Sequence, residues 1–63
     1  MDIIVKEYKG AIRSVKVYKT ENEMFYIETS TNGGDWERFI NVHGNGVYDK
    51  KHTVMTAARK LKQ

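Results

Sequence analysis

The stretch His43-Gly44-Asn45-Gly46-Val47-Tyr48-Asp49-Lys50-Lys51-His52 gathers the residue types best suited to chemistry in this 63-residue chain. Glycines, a carboxylate, two ammonium groups and two imidazoles could form a phosphate loop, a metal site or a basic clamp. A phosphate loop aims several backbone N–H groups from a helix N-terminus at the anion. Here the pattern is only G-x-G, without G-x-x-x-x-G-K-[ST] or G-x-G-x-x-G. Asp49 also stands at the expected helix cap, where its charge would compete with a bound anion. The glycines are therefore expected to give the connection backbone freedom. His43 and His52 lie nine residues apart, with no H-x-x-x-H spacing and no cysteine in the chain. No metal and no cofactor are expected. Glu21, Glu23, Glu28, Asp35 and Glu37 are spread over turns and strand surfaces, and no Ser, His and Asp set falls in a recognisable motif. The chain reads as a non-enzyme.

Interleaved bases and rings are a more productive pattern. Lys6, Tyr8, Lys16 and Tyr18 are expected on one face of a first hairpin, where rings could stack on bases and ammonium groups could follow phosphates. The same arrangement also suits the ordinary outward face of an amphipathic hairpin. Lys50, Lys51 and Arg59 form a second basic set around a C-terminal helix, together with Lys60 and Lys62.

Positioning these groups requires a sheet and a helix. Residues 3–8 and 12–19 are rich in β-branched and aromatic residues, and Lys9-Gly10-Ala11 separates them. A three-residue loop pairs Val5 with Val15 and Ile3 with Val17, and sets Glu7 opposite Arg13. Residues 24–31 and 36–42 predict a second pair of strands around Asn32-Gly33-Gly34-Asp35. Gly33-Gly34 is preferred as the central pair, because Asn32-Gly33 would place Glu28 opposite Glu37. The expected core face of this hairpin is Phe25, Ile27, Trp36, Ile40 and Val42. Residues 50–62 predict a helix capped by Asp49, with Val54, Ala58 and Leu61 at i, i+4 and i+7 and Met55 beside them. The fold class is therefore α+β: one domain, residues 1–63, with a small antiparallel sheet of three to four strands and one C-terminal helix packed on one face.

Charge is segregated along the chain. Residues 1–20 carry a net +3, residues 21–42 a net −4 and residues 43–63 a net +4, for a total of +3. If the two ends meet, the molecule has one basic face. Lack of cysteine favours a reducing, cytoplasmic setting, and no apolar run approaches membrane-spanning length. The expected partner is nucleic acid, RNA or DNA. The alternative is a small protein-binding modulator, of a kind phages encode, acting through an edge strand, the acidic region or the aromatic face. Edge pairing allows either a monomer or a homodimer.

The segment 44–58 resembles the C-terminal strand–turn–helix of double-stranded-RNA-binding domains. It has Gly44-x-Gly46, then Asp49-Lys50-Lys51, then Ala57-Ala58 seven residues beyond Lys50. The resemblance implies that Lys50 and Lys51 contact phosphates across a groove. A hairpin stands where that family has an N-terminal helix, and Asp49 where it has serine. The segment is similar also to the ends of other small sheet-plus-helix modules, including the arm-binding domains of phage-type integrases, which bind nucleic acid with their sheets.

Overall fold

Strand-forming residues dominate the first two thirds of the chain, and they build a single antiparallel sheet. A computed structural model describes residues 1–40, 44 and 46–62. The strands are β1 (Ile3–Tyr8), β2 (Arg13–Lys19), β3 (Phe25–Thr31) and β4 (Glu37–Arg38), and α1 (Lys51–Leu61) follows. The sheet order is β1-β2-β3-β4, with every neighbouring pair antiparallel. The architecture is thus the expected α+β one.

One face of the central strands is apolar. Val15 and Val17 of β2 and Phe25 and Ile27 of β3 are buried there beneath Val54 and Ala58 of α1. The i, i+4 spacing of the two helical residues places them on one side of the helix. Each fully buried valine or isoleucine contributes about 1.5–3 kcal/mol relative to exposure. Val5, Tyr8, Phe39, Met55, Ala57 and Leu61 pack around this centre.

The β1–β2 register differs from the expected one. Tyr8 faces Val15, Glu7 faces Lys16 and Lys6 faces Val17, whereas Ile4 faces Tyr18 and Ile3 faces Lys19. A bulge at Val5 absorbs the extra residue between the two halves. The connection is longer than a tight hairpin because it is tied elsewhere. The Ile12 carbonyl accepts from the Asn32 N–H at 2.7 Å, and the Gly10 N–H donates to Ser14 Oγ at 3.4 Å.

At the β3–β4 turn the central pair is Asn32-Gly33, not Gly33-Gly34. Both have positive φ, 54° and 72°, and the Gly34 N–H donates to the Thr31 carbonyl at 3.0 Å. Positive φ at both central residues is what this tight hairpin turn demands. One extra residue on the returning side then sets Glu28 opposite Arg38 and Thr29 opposite Glu37. The clash between Glu28 and Glu37 is avoided by register, without changing the turn. The shift also exchanges faces. Ile40, expected in the core, is 61% exposed, and Trp36 is half-buried against Lys16 on the opposite side. Phe39 takes the core position instead, and its N–H donates to the Ile27 carbonyl at 2.9 Å. Val42 lies outside the described residues.

Beyond β4 the chain returns to the same edge of β3. Tyr48 and Phe25 exchange two backbone hydrogen bonds, of 2.7 and 2.8 Å. Gly46, buried at φ 79°, lies against the Phe39–Ile40 backbone, where a Cβ would come within 2.9 Å of the Phe39 carbonyl oxygen. Asp49 does not cap the helix. The cap position is Lys50, and no side chain bonds the first free N–H groups. The Tyr48 pairing sets where the strand releases the chain, and Asp49 falls in an exposed bend one residue before the cap.

Candidate nucleic-acid interface

The helix has an inward stripe and a broad outward face. With Val54 and Ala58 pointing into the core, a 100° step per residue sends His52, Thr56, Arg59 and Lys60 outward and Lys51 and Met55 to one flank. That flank faces β1, because Tyr8 Oη donates to Met55 Sδ at 3.8 Å. Lys6 Nζ lies 5.5 Å from the centroid of the Tyr8 ring. The bulge at Val5 places Lys6 and Tyr8 on this side of the sheet. Arg13 joins them, with Nη1 donating to the Leu61 carbonyl at 3.5 Å.

Thr56 forms a ridge along the outward face. Its hydroxyl donates to the His52 carbonyl at 2.9 Å and accepts from Arg59 Nη2 at 3.4 Å, which orients the guanidinium. A shallow groove of about 360 Å³ on the β1 flank is lined by Lys51, His52, Met55, Thr56 and Arg59. One of about 320 Å³ on the other flank is lined by Tyr48, His52, Thr53, Thr56, Ala57 and Lys60. Residues 50–63 contain five lysines and arginines and no acidic residue. Among the described residues, the ion pairs are that of the Met1 amine with Glu21 and that of Lys19 with Glu23 at 3.7 Å. Neither involves a helix cation.

The opposite face of the sheet has no helix over it, and it holds Lys16 and Tyr18. Sequence reasoning put these with Lys6 and Tyr8; the register separates the two pairs. Tyr18 and Tyr26 face each other across β2 and β3, their rings stacked with centroids 4.8 Å apart and planes 7° from parallel. Arg38 continues the row, its guanidinium carbon 4.0 Å from the Tyr26 centroid. Lys16 Nζ lies 4.2 Å from the centroid of Trp36. Both cations of this face are thus spent on rings.

Its hydroxyls are satisfied as well. Tyr26 Oη donates to Asp2 Oδ2 at 2.7 Å. Hydrogen bonding to Asp2, reinforced by desolvation, pushes the Tyr26 phenol up to about 12. A hydrogen bond to Glu28, again with desolvation, pushes Tyr18 up to about 12. A negative neighbour and a hydrogen bond to the neutral phenol both disfavour phenolate. With Asp2, Glu7 and Glu28 beside Lys16 and Arg38, the open face carries no positive excess.

Of the seven candidate residues, Lys6, Tyr8, Lys51 and Arg59 therefore lie on the helix side, with Lys50 at the helix start, and Lys16 and Tyr18 lie across the sheet. Arg13 and Met55 belong to the helix side and were missed. Met55 was legible, being i+4 from Lys51 and i−4 from Arg59. Tyr26 was legible too, since a turn centred on Asn22 puts it opposite Tyr18. His43 lies outside the described residues. No protein-family model, curated protein or solved structure matches this chain.

Proposed function

We propose that this chain is a non-catalytic nucleic-acid-binding module that presents α1 and its β1 flank to the phosphate backbone. The observation that carries this reading is the helix charge: five cations over residues 50–63, no carboxylate among them, and no ion pair at any described one. Cations not paired with a carboxylate are free to replace the counterions of a polyanion, and that exchange is the dominant sequence-independent term in nucleic-acid affinity. Lys50 and Lys51 are also the pair that the resemblance to double-stranded-RNA-binding domains assigns to phosphates. Lys16 and Tyr18 contribute to the sheet rather than to the interface.

Titration of labelled RNA and DNA at low and moderate salt tests the proposal. Affinity is expected to fall linearly on a log–log plot against salt. Lys51→Ala with Arg59→Ala should reduce that slope by about two, and Lys16→Ala should leave it alone. Absence of binding at low salt removes the reading.

A second reading rests on β1. It is an edge strand, and Ile3 and Ile4 on it are 55% and 49% exposed. An unpaired edge with apolar side chains suits addition of a strand from a protein partner or a second copy. Sedimentation of the purified chain tests pairing with a second copy: a dimer that Ile4→Lys converts to monomer supports strand addition at this edge, and a monomer at all concentrations removes the second-copy case.

A further inference from the structure

Strand register lines up the side chains of the open sheet face in rows that cross the strands. One row reads Glu7, Lys16, Glu28 and Arg38 from β1 to β4, a strict alternation of sign. The next row reads Ile4, Tyr18 and Tyr26. Ile40 closes it on the β4 side, because the Phe39–Ile27 hydrogen bond carries the β3–β4 register past Arg38 while Phe39 turns into the core. Ile4 and Ile40 are large apolar groups left exposed at the two ends of this row.

The face is prepared to be covered. Lys16 and Arg38 already lie over rings, and the Tyr18 and Tyr26 hydroxyls are bonded to Glu28 and Asp2. Covering it therefore strands few polar groups, which is a main cost of forming an interface. Aromatic side chains are also enriched at interface centres.

The row of charges identifies the occupant. An alternation with an even number of members is its own complement when reversed. With two open faces opposed, a half-turn about an axis along the strands sets Glu7 over Arg38 of the second copy and Lys16 over Glu28 of the second copy. The same operation sets Ile4 over Ile40 and Tyr18 over Tyr26. A half-turn about the axis across the strands instead sets each charge over its like. Closed pairs of identical chains use self-complementary patches of the first kind. The need for burial points the same way. Among the described residues the buried core is six apolar side chains, in a chain without cysteine. Chains below about 70–80 residues commonly gain stability by oligomerising.

We infer that two copies of this chain pair through their open faces, as two sheets about 10 Å apart with the two-fold axis along the strands. The helices then lie on opposite outer sides, so pairing neither blocks the proposed nucleic-acid surface nor depends on it. It also differs from strand addition at β1, which uses the sheet edge.

Sedimentation equilibrium of the intact chain from about 1 μM to about 1 mM tests the pairing over the range where small interfaces associate. A reversible dimer is expected. Emission from Trp36, the one tryptophan of the chain, should shift to the blue over the same range, because its ring lies on this face. Ile40→Lys should weaken the dimer by at least about tenfold, since it sets an unpaired ammonium against Ile4 of the second copy. Ile4 belongs to both the edge and the face, whereas Ile40 lies on the side of the sheet away from the β1 edge. Glu7→Lys and Arg38→Glu should each weaken the dimer, and the two together should restore it. Within one chain these residues are three strand spacings apart, about 14 Å, so such a rescue arises between copies. A chain that stays monomeric throughout overturns the inference. So does a dimer that Ile40→Lys leaves intact, or a double variant that pairs no more tightly than either single one.

Discussion

On the open side of the sheet, Lys16 and Arg38 lie over rings, and Asp2 and Glu28 hold the hydroxyls of the two stacked tyrosines. On the helix side, Lys51, Arg59 and Lys60 face water with no carboxylate on their own element. The two surfaces use similar residues for different ends. A cation above a ring is directed, and at sites as open as these contributes about 0.5–1 kcal/mol to folding. An unpaired surface cation contributes little to folding and keeps its charge available to a partner. Composition alone therefore does not mark a binding face; what matters is whether the charges already have partners within the molecule.

Substitutions can break this contrast, and the largest effect should come from the layer between the two faces. Ile27→Ala empties a fully buried site and is expected to cost about 2–5 kcal/mol, read by chemical denaturation. In a chain this small, that is enough to unfold much of the population and abolish both surfaces. Gly46→Ala should cost about 1–3 kcal/mol, because positive φ and the Phe39 carbonyl both oppose a Cβ. Arg38→Ala should lower stability by about 0.5–1 kcal/mol and leave nucleic-acid affinity unchanged. Arg59→Ala should do the reverse, with stability within about 0.5 kcal/mol of wild type and a clear loss of salt-sensitive binding. If Arg38→Ala weakens binding more than Arg59→Ala does, the assignment of faces is reversed.

The smallest effect concerns the tyrosine pair. The folded-state phenols of Tyr18 and Tyr26 sit near 12, above their ordinary value of 10.0. A raised folded pKa means the folded chain holds the proton more tightly. Its contribution to stability is complete below pH 10 and is lost as pH rises through about 12. Phenolate absorbance should show two tyrosines ionising late. Asp2→Asn should bring Tyr26 back toward its ordinary value without moving the helix side.

Much of the fold was legible from local pattern. β-Branched runs marked β1 to β3, and i, i+4 spacing marked the inward stripe of α1. What escaped was register, because each hairpin departs from its simplest form by one residue. Asn32-Gly33 was set aside because Glu28 would face Glu37, yet an extra residue before β4 resolves that conflict. The bulge at Val5 did the same to β1. Such shifts are decided by tertiary contacts, here the Asn32–Ile12 bond and the Phe39–Ile27 bond, which local spacing does not encode. At the candidate site, the helix cations were legible as a set. Their separation from Lys16 and Tyr18 was not, since a one-residue slip transfers every side chain of a strand to the other face.

The Val5 bulge has a consequence for how this chain can vary over generations. An in-frame loss of the Val5 codon would turn β1 into a regular strand. Ile4 would still face Tyr18, Lys6 would still face Val17 and Tyr8 would still face Val15. Loss of one codon in the middle of β2 would instead reverse half of that strand relative to both neighbours. In register terms the first strand thus carries a spare position: losing it removes the Val5 side chain from the rim of the core but leaves Lys6 and Tyr8 on the helix side.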